Sequence, residues 1–285
     1  MRNIRNCMGI TLATGQSVCP VDFGKIKAII LVQHGKTLGS SFSAGTFEAK
    51  CHADVPDRIY PIKTIVEYAK NGGEPQVSAV GYGGNGVTGI SARTDTFTLD
   101  QYNDNLAASI TENMNKKFDA YYLDENNLLI GVNNGTEELG GIPMSTVYCT
   151  VTPHPTSNAK PTMTVSCCLE DARAAIEKFD YVQLDFNPMD ELNGLVDVDL
   201  VEVETGKFVI LEVRGGFDRT AEFGPTIATA ATSVLDGATA VSYADGKLTI
   251  TAASNSVPEM KKASVLRTND IVGLTPHKTV KLPTA

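Results

Sequence analysis

Hydrophobic and polar positions along this chain follow two periods, and the changes between them mark out its elements. KIKAIILVQHG (25–35) is a β-branched run closed by His34 and Gly35, the pattern of a buried strand. GKTLGSSFSAGTFEAKCHADVPD (35–57) carries turn residues throughout and reads as a long surface loop with short extended pieces. RIYPIKTIVEYAK (58–70) reads as extended, with a helix from Ile62 as the alternative. Residues 74–100 are rich in Val, Thr and Gly and alternate as two strands around a glycine loop. The period then changes. Tyr102, Leu106, Ile110, Met114 and Phe118 recur every four residues among Asp, Asn, Glu and Lys, which predicts an amphipathic helix over 100–117 with Asp100 as its N-cap. KFDAYYLD alternates again, ENN turns on its own Asx side chains, and LLIGV returns.

Further along, GIPMSTVYCTVTP (141–153) and PTMTVSCC (161–168) are strands around a Pro-rich loop. A second helix near 169–178, within LEDARAAIEKF, presents Leu169, Ala172, Ile176 and Phe179 on one side. It feeds KFDYVQLDF as the first helix feeds KFDAYYLD. The shared Lys-Phe-Asp-x-x-x-Leu-Asp at 117–124 and 178–185 is either a repeated helix–strand unit or a chance echo. Texture shifts at NPMDELNG (187–194). Beyond it, LVDVDLVEVETGKFVILEVRGG and ATAVSYADGKLTITAA are hairpins around Thr-Gly and Asp245-Gly246, separated by the small, apolar, Thr-rich TIATAATSVLDG. This spacing predicts a small immunoglobulin-like β-sandwich over 188–255. The expected organisation is an N-terminal arm (1–24), a β domain (25–187), the β module (188–255) and an extended C-terminal tail (256–285). Ile4, Ile10 and Leu12 in the arm and Val265, Leu266, Ile271, Val272 and Leu274 in the tail lack a period of their own and are expected to lie on another surface.

Composition narrows the function classes. At 285 residues and 42% hydrophobic the chain can bury a core in each of two domains. A net charge of −9 with scattered Lys and Arg argues against binding nucleic acid through its phosphates. No apolar run reaches the length of a bilayer span, and the N-terminus has no signal-peptide core, so the six cysteines are expected to be free thiols.

Candidate chemistry is sparse. GYGGNG (81–86) fits G-x-G-x-x-G, but a strand-like segment follows where a phosphate-binding helix is needed, so it reads as a glycine turn. His34, His52, His154 and His277 sit in separate segments without a metal-ligand spacing, and His52 beside Cys51 reads as a loop histidine next to a buried thiol. Asp197 with Asp199, and Glu202 with Glu204, have strand spacing and read as water-facing positions. No catalytic, cofactor or metal residues are assigned, and no enzymatic activity is expected.

With chemistry thin, the order RIYPIKTIVEYAKNGGEPQVSAVGYGG…TDTFTLDQYNDNLAASITENMNKKFDAYYLDENNLLIGV is the best clue. A β-sandwich or barrel flanked by a helix, entered by an arm and followed by an immunoglobulin-like module, resembles the tail tube (major tail) proteins of tailed bacteriophages. The likeness runs over 20–187 and 188–255. It implies a virion protein, assembled in the host cytoplasm, whose copies form stacked rings, six-fold by preference, beside other tail or head–tail proteins. DNA would be non-specific cargo in the lumen, and no membrane partner is implied. The second helix departs from a minimal tube subunit and leaves a capsid, connector or baseplate role open. A carbohydrate-binding two-domain β protein is the alternative from another class.

Overall fold

The computed structural model describes residues 22–281 apart from 80, 137, 153, 156, 158, 159 and 255, so Ile4, Ile10, Leu12 and the rest of the predicted arm up to residue 21 lie outside the described residues. The protein is mainly β, with several sheets and few helices. Two compact units divide the chain: residues up to Phe47 with Ile59–Leu192, and Glu48–Arg58 with Asn193 onward.

The first unit contains β1 (Ile26–Gln33), α1 (Ala44–Cys51, which crosses into the second unit), β2 (Ile59–Ile62), β3 (Ile65–Gly72), β4 (Pro75–Ala79), β5 (Asn85–Ile90) and β6 (Arg93–Leu99). These are followed by α2 (Asp104–Asn113), β7 (Phe118–Asp124), β8 (Leu128–Asn133), β9 (Leu139–Gly140), β10 (Ile142–Thr152), β11 (Thr162–Leu169), α3 (Ala172–Glu177) and β12 (Phe179–Gln183). β1, β7, β10, β11, β6 and β3 pair antiparallel in that order, and β3 curls back beside β1 without a ladder to it. The result is a barrel open along one seam. Its interior holds Ile29, Leu31, Phe97, Leu99, Met144, Val147 and Val165. On β7 the edge opposite β1 is shared between β10 and β8, and β12 extends the β8 wing. β7 and β12, which carry the two copies of Lys-Phe-Asp-x-x-x-Leu-Asp, therefore flank β8 on its two edges, each preceded by a helix.

The helices differ from their sequence expectations for local reasons. α2 begins after Asn103, whose side chain accepts the Leu106 amide (3.0 Å). Asp100 is engaged elsewhere, its amide on the Thr64 carbonyl and its carboxylate with Lys160. Ala107 and Ile110 are buried and Leu106 packs beside them, whereas Met114 caps the helix and is exposed. In α3, capped by Asp171, Ala172 and Ala175 form the buried face. Ile176 is exposed because Leu169 and Phe179, counted into the predicted stripe, belong to the flanking strands. α1 replaces the expected loop: Phe47 is buried, with its ring against Phe42 and Phe186, so tertiary burial overrides the weak propensity of its Gly and Thr.

The second unit contains β13 (Val196–Glu204), β14 (Lys207–Glu212), α4 (Thr220–Ala230), β15 (Leu235–Asp236), β16 (Ala238–Ala244), β17 (Lys247–Ala252), β18 (Glu259–Met260), α5 (Ala263–Arg267) and β19 (Leu274–Lys281). Both predicted hairpins form, the second turning through left-handed Asp245 and Gly246. The rest departs from a sandwich. A single five-stranded sheet, ordered β16-β17-β14-β13-β19, carries α4 and α5 in its core cluster. The segment TIATAATS contains the second half of α4, which sits close to the sheet because Gly224 has no Cβ: one would lie 2.5 Å from the Tyr243 ring. The expected free tail is also corrected. β19 pairs parallel with β13, and Leu266, Ile271 and Leu274 are buried in this unit's own core.

Residues Glu48–Arg58 complete this unit. His52 is fully buried: its Nδ1 lies 2.9 Å from the Glu48 carbonyl and its Nε2 accepts the Gly273 amide at 2.9 Å. Glu48 pairs with Arg267, Asp54 with Lys262 and Ser264, and Arg58 with Thr275. The hydrogen bond and charge of Arg267 hold the Glu48 carboxyl below its ordinary range, against a smaller opposing effect of burial.

Three substitutions test this packing. Ile110→Ala is expected to cost about 2–5 kcal/mol in chemical denaturation, while Met114→Ala should change stability by less than ~0.5 kcal/mol. Equal costs would mean that α2 is docked through a different face. His52→Ala should destabilise the C-terminal unit by about 1–3 kcal/mol by leaving the Gly273 amide unpaired. Unchanged hydrogen exchange along β19 would contradict that.

Candidate functional site

The one core-facing carboxylate of β6 is Asp95. It shares the parity of Phe97 and Leu99, so the strand's own alternation drives it inward, and it is fully buried. Arg93, two residues earlier on the same face, grips it with a fork: Nε to Oδ1 at 2.8 Å and Nη2 to Oδ2 at 2.9 Å. The Tyr122 hydroxyl donates to Oδ2 (2.9 Å) and the Tyr68 hydroxyl to Oδ1 (3.2 Å), while Arg93 Nη2 donates to the Tyr68 oxygen (3.1 Å). Burial pushes the Tyr122 hydroxyl well above its ordinary pKa, with Cys167 and Asp95 adding to the effect, and raises Tyr68 likewise. For Arg93, burial opposes the charge, but the bonds and charge of Asp95 outweigh it and the pKa is raised. Burial also pushes the Cys167 thiol up, and nearby Asp95 adds to this, so it is held as a neutral thiol. The cluster is thus a closed polar clamp: its carboxylate accepts four bonds, and its hydroxyls stay protonated as donors.

This clamp stands at the wall of a cleft of about 420 Å³ that enters the barrel through the open seam. The seam exists because β2 runs along β1 only from Ile29 to Val32. At Thr64 the backbone turns left-handed (φ 63°), and the chain leaves β1 to pair with β6 instead. Ile65, Ile130, Ile142 and Leu169 form an apolar floor beside Tyr122. Lys25 and Lys27 stand on one lip; Val66, Glu67 and Arg93 stand on the other; Phe23 and Phe179 meet edge to face at the end. The lysines have no ion-pair partner among the described residues.

The residues singled out in the sequence fall elsewhere. His34 Nδ1 contacts Asp119 at 2.8 Å, and His277 Nδ1 contacts Asp199 at 2.9 Å, pairings between distant segments that no local spacing revealed. His154 is exposed, and among the described residues no three metal-binding side chains converge. Asp197 faces water, whereas Glu202 accepts the Gly206 amide and Glu204 pairs with Lys207 and Lys247. Cys149, Cys167 and Cys168 are free thiols, and Cys51 is buried. GYGGNG supplies the tip between β4 and β5 with its first four residues and the start of β5 with Asn85 and Gly86. The Asp95 clamp was missed: Arg-x-Asp in an alternating strand is a common surface pattern, and only the inward parity of Asp95 distinguishes it.

No protein family, curated protein or solved structure matches the chain.

Asp95→Ala should cost about 3–5 kcal/mol in denaturant unfolding, because it leaves the Arg93 guanidinium half-buried without its counter-charge. The double change Arg93→Met/Asp95→Leu should recover part of that loss, leaving only tyrosine hydroxyls unpaired. A double variant as unstable as the single would show that the charge pair is not the source.

Proposed function

We propose that this protein is a structural subunit whose copies assemble into stacked rings, six-fold by preference, forming the tube of a phage tail through which DNA passes without being gripped. One observation carries the reading. β3 to β6 form a long two-stranded ribbon that kinks at Gly72 and Gly73, both left-handed, and continues as the β4–β5 hairpin, a sheet of its own. At Gly72 a Cβ would lie 2.0 Å from the Ala92 carbonyl oxygen, so the kink requires glycine. Beyond it β4 is exposed along its whole length, and Val77, Tyr82 and Val87 are among the exposed apolar side chains.

From Pro75 to Ala92 there is no charged residue, in a chain that is 20% charged. Exposed strand edges are ordinarily guarded by charge or proline against pairing with other chains. An isolated two-stranded hairpin is also marginal in water. An unguarded apolar hairpin is a surface built to be covered, and in a self-assembling subunit the cover is another copy. The net charge of −9 suits a conduit for DNA, since like charge disfavours phosphate binding. Assembly in the host cytoplasm, incorporation into the virion tail and contact with other tail or head–tail proteins belong to the same proposal.

Replacing residues 75–90 by Asn-Gly joins Glu74 to Ser91 through a two-residue turn at a point where the Ser91 amide already donates to the Glu74 carbonyl (3.0 Å). The shortened protein should keep its unfolding midpoint but lose the closed rings or tubes that negative-stain microscopy is expected to show for the full chain. A full-length protein that remains monomeric at every concentration, or a shortened one that still forms rings, would refute the reading.

A further inference from the structure

The hairpin needs a receiving surface, and the first unit also carries the seam cleft. We propose that the cleft receives the β4–β5 tip of a second copy of this chain, with Tyr82 inserted over the apolar floor, so that copies join head to tail. This inference rests on the self-assembly reading and names the surfaces that would bring it about.

The two features match in chemistry. The tip Gly81-Tyr82-Gly83-Gly84 offers one fully exposed aromatic side chain between glycines, which let its backbone approach another surface closely. The cleft offers Ile65, Ile130, Ile142 and Leu169 below and the aromatic pair Phe23 and Phe179 at one end. Burying an aromatic side chain removes about 150–250 Å² of it from water, and a tyrosine keeps its hydroxyl for the polar lip. Reach is adequate, because five β4 residues extend about 15–20 Å beyond the kink.

Charge favours this pairing over others. Two copies at −9 repel each other over most of their surfaces. The hairpin carries no charged residue, and the lip it would meet carries Lys25 and Lys27, which have no ion-pair partner among the described residues and can donate to the backbone carbonyls of a glycine-rich turn. Because arm and cleft are different surfaces of one subunit, the contact is heterologous and closes or propagates without a two-fold axis.

Tyr82 and Val66 are both exposed in the single chain, so Tyr82→Asp and Val66→Arg should leave thermal unfolding unchanged. In mass photometry each variant alone should need at least tenfold more protein to assemble than the wild type. Mixed together, they should form a one-to-one heterodimer, since each mixed pair keeps one intact arm and one intact cleft. Phe179→Asp serves as a second cleft variant if Val66→Arg misfolds. If the wild type assembles and Tyr82→Asp assembles equally well, the docking proposal is wrong while the self-assembly reading stands. A wild type that never assembles removes the self-assembly reading itself. Variants that fail alone and also fail to pair when mixed show that arm and cleft do not meet. Saturable binding of dodecanoate that Val66→Arg abolishes, with assembly indifferent to Tyr82→Asp, would give the cleft to a small amphiphile. Assembly lost only on removing residues 1–21 would give it to that segment.

Discussion

A strand buried along nearly its whole length yet rich in polar side chains sets the terms for the first unit. β7 carries Asp119, Tyr121, Tyr122 and Asp124, all buried. Burying such groups is tolerable only when each finds a partner. Asp119 accepts the Gly35 amide and holds His34; Tyr121 donates to the Leu139 carbonyl and accepts the Leu38 amide; Tyr122 donates to Asp95. Asp124 accepts amides from Gly24, Asn126 and Leu128. Between them these bonds recruit several separate segments, so satisfying one strand's polar groups fixes the entry of β1, the loop after it, the β7–β8 turn and the wall of the cleft.

The same strand divides the sheet. Because β8 and β10 share one edge of β7, the sheet splits into a short wing and a long one, and the long one curls toward β1. Its closure fails where Thr64 diverts the chain, and that failure leaves a cleft instead of a sealed core. The clamp of Asp95 with Arg93, Tyr68 and Tyr122 ties β6, β3 and β7 together beside the opening. A seam lined by Lys25, Lys27 and exposed aromatics and an uncharged hairpin are both unfinished surfaces. The assembly proposal accounts for the two together, one as the complement of the other.

The second unit shows a different economy. Its sheet is finished by a parallel strand from the end of the described chain, and a segment more than a hundred residues earlier bonds to α5 and to the start of that strand. His52 joins these additions through two backbone bonds. A module that looks self-sufficient from 188 to 255 therefore depends on residues from both sides of it.

Periodicity alone determined the strands at 26–33, 118–124, 128–133, 142–152 and 162–169, the Asp124 turn, the Asp245-Gly246 hairpin and the existence of the helices at 104 and 172, because each reflects forces acting within a few residues. The mainly β class followed from the same local signals. Tertiary structure decided the rest. α1 is held by the burial of Phe47, α4 forms despite Gly224-Pro225 because a sheet lies against the glycine, and Leu266, Ile271 and Leu274 read as an unpartnered tail until β19 finds β13. Asp95 was legible only as one polar position in an alternating strand. Its value as a buried clamp arises where Arg93, Tyr68 and Tyr122 converge, and convergence between segments is a property of chain topology that no local period encodes.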